Sequence, residues 1–85
     1  MYNTAQVSAR SGYAWFNILK YAKRGILPTA KLIMGQRKIK GRWQYTEEDI
    51  RFLSALKFYR SLGFEFEIAV DKADESIQKE DKRLS

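Results

Sequence analysis

The chain's single proline, Pro28, comes three residues after Gly25, and the pair divides residues 1–24 from residues 29–85. Glycine supplies the left-handed conformation on which helices end, and proline neither donates a backbone hydrogen bond nor tolerates a helical residue ahead of it. No regular element can run through 25–28. Further glycines at 12, 35, 41 and 63 cut the 85 residues again, leaving short segments that are each read by their own periodicity.

The first segment predicts a two-turn helix, capped at Asn3 or Thr4, running through Ala5, Val7, Ser8 and Ala9 and stopping at Ser11-Gly12. A second helix is predicted from about Ala14 to Arg24. At 100° per residue its Trp15, Ile18, Leu19 and Ala22 share one face, expected to be core. The opposite face carries Tyr13, Asn17, Lys20 and Arg24, flanked by Phe16, Tyr21 and Lys23, a basic surface interleaved with aromatics. Two short helices joined at Ser11-Gly12-Tyr13 have the spacing of a helix-turn-helix. Residues 31–34 and 42–45 read as strands around a Gly- and Lys-rich turn at 35–41, hence a β-hairpin wing. Thr46-Glu47-Glu48-Asp49 then offers a capping hydroxyl and three carboxylates where free N–H groups and the helix dipole favour negative charge. The third helix buries Ile50, Leu53, Leu56 and Tyr59, widened by Phe52 and Ala55, and stops at Leu62-Gly63. A last helix, expected over 65–79, presents Phe66, Ala69, Val70, Ala73 and Ile77 as a lid.

Composition narrows the function. One core is all that a chain this short can build. With no Cys and no His, the usual nucleophilic, general-base and metal-ligating side chains are missing, so an enzyme is not expected and neither metal nor cofactor is called for. The apolar runs are too short for a membrane span or a secretory leader, which makes the cytoplasm the expected compartment. The net charge of +6 is segregated: residues 1–46 hold nine Lys or Arg and no acid, whereas residues 47–85 hold seven basic and ten acidic side chains. A single-sign field attracts polyanions. Nucleic acid is therefore the leading partner, and an anionic membrane the lesser one.

The order of elements, together with several short motifs, resembles the MerR and excisionase superfamily of winged helix-turn-helix DNA-binding domains. Gly12 and Gly25 are spaced like the glycines bounding the recognition helix there, and Gly25-Ile26-Leu27-Pro28 is similar to its G-x-L-P exit. Gly41-Arg42-Trp43 resembles an excisionase-type wing, while Tyr45-Thr46-Glu47-Glu48-Asp49-Ile50 and Ser61-Leu62-Gly63-Phe64 look like the third helix of MerR regulators. The resemblance spans residues 3–79. It implies a mainly α fold of four helices with a hairpin wing, occupying 1–79 and trailed by a charged tail at 80–85 that frays. Departures exist: the family's Arg-Tyr-Tyr-Glu run is Leu19-Lys20-Tyr21-Ala22 here, so of that run only Tyr21 carries over, and the wing has extra Lys and Arg. Since no long dimerisation helix or effector domain comes after the lid, no small-molecule effector is expected.

The expected function is sequence-specific binding of double-stranded DNA in transcriptional regulation, in the nucleoid. The expected DNA contacts are Tyr13, Phe16, Asn17, Lys20, Tyr21, Lys23 and Arg24 around the second helix and Lys31, Arg37, Lys38, Lys40 and Arg42 on the wing. Asn17 has the amide that pairs with adenine, and the cations suit phosphates. Trp43 is read as the wing's attachment to the core, and the Glu47–Glu48–Asp49 run as a capped helix start without chemistry. The alternatives are an excisionase-like factor that bends DNA during recombination, and a single-stranded nucleic acid or RNA module stacking bases on Tyr13, Trp15, Phe16 and Tyr21. Trp15's predicted inward face argues against the last of these. A protein partner or self-association through the acidic C-terminal helices is compatible with any of them.

Overall fold

The computed structural model describes residues 1–35 and 41–84 and is mainly helical, with one small antiparallel hairpin. Along the chain come α1 (Thr4–Ser11), α2 (Trp15–Lys23), β1 (Lys31–Ile33), β2 (Arg42–Gln44), α3 (Glu47–Ser61) and α4 (Phe66–Leu84). The turn residues 36–40, and with them Arg37, Lys38 and Lys40, lie outside the described residues.

Local chemistry explains the boundaries. Asn3 caps α1, its side chain accepting from Gln6 N at 2.8 Å while the Gln6 side chain accepts from Asn3 N at 2.9 Å. At the end of α2, Gly25 takes φ 73°. Its N–H reaches the Ala22 carbonyl at 3.1 Å and the Ile26 N–H reaches Tyr21 at 3.1 Å, the paired bonds of a Schellman stop. Gly63, at φ 97°, closes α3 in the same way, with Gly63 N on Arg60 O and Phe64 N on Tyr59 O. α4 runs to Leu84, five residues beyond the expected end at Lys79. Residues 80–84 contain neither Gly nor Pro, and their Glu, Lys, Arg and Leu are good helix formers, so nothing local stops the helix at 79.

In the hairpin, Lys31 faces Gln44, Leu32 faces Trp43 and Ile33 faces Arg42. Past β2 the chain pairs with its own amino terminus, where Tyr2 and Tyr45 exchange both backbone hydrogen bonds at 2.9 Å. This ties the hairpin's base to the segment leading into α1. Gly41 enters β2 in a cramped place: a Cβ there would lie 2.9 Å from the Ile33 carbonyl oxygen, so backbone approach itself requires glycine.

The core gathers Val7 of α1, Ile18 and Ala22 of α2, Leu27, Tyr45, Ile50, Phe52, Leu53 and Leu56 of α3, and Ala69, Ala73 and Ile77 of α4. α4 packs along α3, as its apolar spacing predicts, and α1 packs against both α2 and α3. Trp43 is partly buried against this core, as expected of the hairpin's point of attachment.

The start of α3 does more than cap a helix. Asp49 is fully buried, and its carboxylate accepts from Thr29 N at 2.9 Å, Thr29 Oγ1 at 2.7 Å and Thr46 N at 3.0 Å. Thr29 and Thr46 hydroxyls also bond each other. A single carboxylate thus joins the loop after Pro28, which leads into β1, to the first turn of α3. Neighbouring Tyr45 is buried as well, and burial raises its phenol above the ordinary value, partly opposed by its bond with Thr4 Oγ1 and reinforced by the Asp49 charge.

Candidate nucleic-acid interface

α2 enters through a turn held by two serines. Gly12 adopts φ 80°, and the Ser8 hydroxyl donates to the Tyr13 carbonyl at 2.6 Å while the Ser11 hydroxyl accepts from Tyr13 N at 3.3 Å. Lys57 of α3 reaches the same turn, with its ammonium 6.0 Å from the Tyr13 ring centroid and 2.6 Å from where a Gly12 Cβ would stand. That places a cation from the acidic half of the chain beside the entrance to α2. The sequence carries only a faint signal of it, Lys57 lying one turn beyond core residue Leu53 and so at the border of the buried stripe.

The face that α2 turns outward differs from the expected one. Ile18 and Ala22 are buried and Leu19 is half-buried, but Trp15 is 60% exposed. Its inward placement is corrected, and so is the outward placement of Tyr13 and Tyr21. Both tyrosines are half-buried and packed against the core. Their rings meet edge to face at 6.0 Å, and Tyr21 lies 5.3 Å from Phe66 of α4. The three rings bridge α2 to α4, and that contact rolls the helix by roughly 30° from the orientation its apolar stripe alone would choose. Burial raises the Tyr13 phenol, Tyr21 adds to this, and Arg60 partly offsets it.

Consequently Trp15, Phe16, Leu19, Lys20, Lys23 and Arg24 line one shallow open surface along α2. Phe16 is 59% exposed, and it is central to this surface, with Lys20 and Lys23 one and two turns further on. Asn17 sits half-buried at the border. Arg24 is exposed but leans away: its guanidinium is 5.9 Å from the Phe66 ring centroid, and it shares a second depression with Glu67 and Asp71 of α4.

The hairpin contributes a second set of cations. Alternation along paired strands puts Lys31, Ile33, Arg42 and Gln44 on one face and Leu32 and Trp43 on the other. Trp43 marks its face as the one turned to the core, so Lys31 and Arg42, both exposed, share the outer face. No element from α1 through β2 contains an acid, and every Asp and Glu of the chain falls in α3, in α4 or at Glu65 between them. At the amino terminus, Tyr2 donates to Glu47 Oε2 at 2.7 Å and lies under the Arg10 guanidinium at 4.8 Å. Its phenol is raised, chiefly by that hydrogen bond.

Among the described residues, no group of three or more His, Cys, Asp or Glu is placed to hold a metal ion, and no helix is long and apolar enough to cross a membrane. Comparison of the chain with protein-family models, curated proteins and solved structures returns no match.

Proposed function

We propose that this chain is a non-enzymatic, winged helix-turn-helix DNA-binding domain of the MerR and excisionase kind, acting on double-stranded DNA in the cytoplasm as a sequence-specific transcriptional regulator. α1 and α2 form the helix-turn-helix, α2 enters the major groove, and the hairpin is the wing, riding on the backbone or in the minor groove. The observation that carries this reading is the outer surface of α2. It is a nine-residue helix with no acidic side chain that presents Phe16, Lys20 and Lys23 side by side to solvent. A helix cylinder of this kind fits a groove about 12 Å wide, and its cations find phosphates on the walls. Lys31 and Arg42 on the outer face of the hairpin, and Lys57 at the turn before α2, extend the positive surface.

A single-stranded reading keeps some support, because Trp15 and Phe16 are both exposed. It loses Tyr13 and Tyr21, whose rings are occupied with each other and with Phe66. Fluorescence anisotropy with labelled duplex at several salt concentrations tests the proposal. About four to six phosphate contacts give a slope of roughly −4 to −5 in log K against log salt. Lys20→Ala and Lys23→Ala should each flatten that slope by about 0.9. A salt-independent affinity, or displacement of the duplex by equimolar single strands, refutes it.

A further inference from the structure

We propose that Phe16, backed by Trp15, reads the C5-methyl groups of thymines, so that the duplex this chain prefers carries thymine at one or more fixed positions under α2. The inference rests on the duplex-binding reading and names what that surface recognises.

The apolar character of the surface is what the basic charge leaves unexplained. Lys20 and Lys23 are suited to phosphates, yet the first turn of α2 exposes 60% of Trp15 and 59% of Phe16. By contrast, the exposed residues of α1 are Ala5, Gln6, Ala9 and Arg10, with no aromatic among them. Large apolar side chains left in water on a groove-facing helix match an apolar group on the partner. The major groove offers one on its base edges, the thymine methyl. Phe16 has Lys20 four residues on and Lys23 seven residues on, all three on one side of the helix. With those two cations at the phosphates, the ring between them and the helix start points into the groove.

The geometry of the pair favours a methyl over a stacked base. The Trp15 and Phe16 rings stand 6.1 Å apart at 84°, the edge of one against the face of the other. They form a corner rather than a common flat platform. A splayed base needs an open planar face to stack on. A methyl group, which is small and round, packs equally well on an edge, on a face or in the angle between two rings. The perpendicular contact also holds Phe16 in place with its partner ring, which makes its position on the groove floor reproducible.

The test begins with selection of the preferred duplex from a randomised pool by the full chain. Each thymine of the selected duplex is then replaced singly by deoxyuridine, which deletes the methyl and leaves base pairing unchanged. Anisotropy titrations compare wild type, Phe16→Ala and Trp15→Ala, with circular dichroism confirming that all three are folded, as expected for exposed positions. For wild type, at least one replacement should weaken binding about fourfold, the effect of one buried methyl. For Phe16→Ala the thymine and uracil duplexes should bind alike at that position, and for Trp15→Ala the difference should shrink. Uniform tolerance of uracil by wild type, or methyl sensitivity that survives in Phe16→Ala, overturns the thymine inference while leaving duplex binding standing. Failure to enrich any duplex, or enrichment of single strands in a parallel pool, overturns both.

Discussion

Removing the buried carboxylate at position 49 should damage the fold more than any other single change on the polar side of the molecule. In Asp49→Ala, three donors lose their acceptor at once: Thr29 N, Thr29 Oγ1 and Thr46 N, now bonded at 2.9, 2.7 and 3.0 Å. A hydrogen bond to a charged group contributes about 1.5–3 kcal/mol, but the three are not additive. Thr29 and Thr46 are only half-buried, so water can reach some of the donors once the carboxylate is gone. The net cost should be about 3–4 kcal/mol, against a total stability of about 4–13 kcal/mol for a chain of this length. Asp49→Asn is the informative control. With its oxygen on Thr29 N, the amide nitrogen can still donate to Thr29 Oγ1 but meets the Thr46 N–H donor to donor. One of three bonds is then lost, at about 1–2 kcal/mol. Thr29→Val, which removes the hydroxyl bonded to the Asp49 carboxylate and to the Thr46 hydroxyl but keeps the backbone donor, should cost about 1–2 kcal/mol. In a thermal melt monitored by circular dichroism, a domain this size shifts by about 4–8 °C per kcal/mol. Tm should therefore be highest for wild type, intermediate for Thr29→Val and Asp49→Asn, and lowest for Asp49→Ala, on the order of 15–30 °C below wild type. An Asp49→Ala protein melting within about 5 °C of wild type, or an Asn variant as damaged as the Ala variant, would refute the view that this carboxylate staples the hairpin's approach to α3.

Gly41→Ala places a Cβ 2.9 Å from the Ile33 carbonyl oxygen and 3.3 Å from the Met34 Cα, both backbone atoms that cannot rotate away. The hairpin should open by about 1–3 kcal/mol, seen as faster amide exchange in β1 and β2 with α3 and α4 protected as before. The Asp74 carboxyl is raised above the ordinary carboxylate value, first by burial and then by the nearby Asp71. A carboxyl raised in the folded state favours folding below its unfolded pKa, and that contribution is lost as pH climbs through the folded value. Asp74→Asn should consequently melt above wild type at neutral pH, with the gap closing as the pH falls below about 4, and an equal gap at both ends would show that the residue acts by some other route.

What could be read from sequence was whatever local chemistry decides. Helix ends depend on residues a few positions apart, so a cap at Asn3 or Thr4, which the structure assigns to Asn3, Gly25 before Pro28, and Gly63 after Leu62 mark their boundaries without reference to the rest of the chain. The buried stripe of α3 was equally legible. Ile50, Leu53 and Leu56 repeat at helical spacing, and the buried face is wide enough that a small rotation leaves the same residues inside. The carboxylate at 49 was legible only as a helix-start charge, since its second role depends on Thr29, twenty residues earlier, being brought alongside. No short sequence window contains both.

The face of α2 was misjudged for a reason that bears on the site itself. A helix of nine residues makes two and a half turns, and aromatic side chains at 13, 15, 16 and 21 crowd into it or its flank, so hydrophobicity alone defines two nearly equal stripes. One contains Trp15 with Ile18, Leu19 and Ala22; the other substitutes Tyr21 for Trp15. The choice between them is made by Phe66, placed by the start of α4 at a distance along the chain that no local pattern spans, with its ring 5.3 Å from that of Tyr21. A tyrosine is a good choice for such a contact because its ring packs while its hydroxyl stays near water. Once Tyr21 is inward, Trp15 has to face solvent, because the two positions are separated by about 120° around the helix. The surface proposed to meet DNA is thus fixed by packing at the far side of the same helix. The aromatic pair exposed there is the counterpart of the aromatic contact buried behind it.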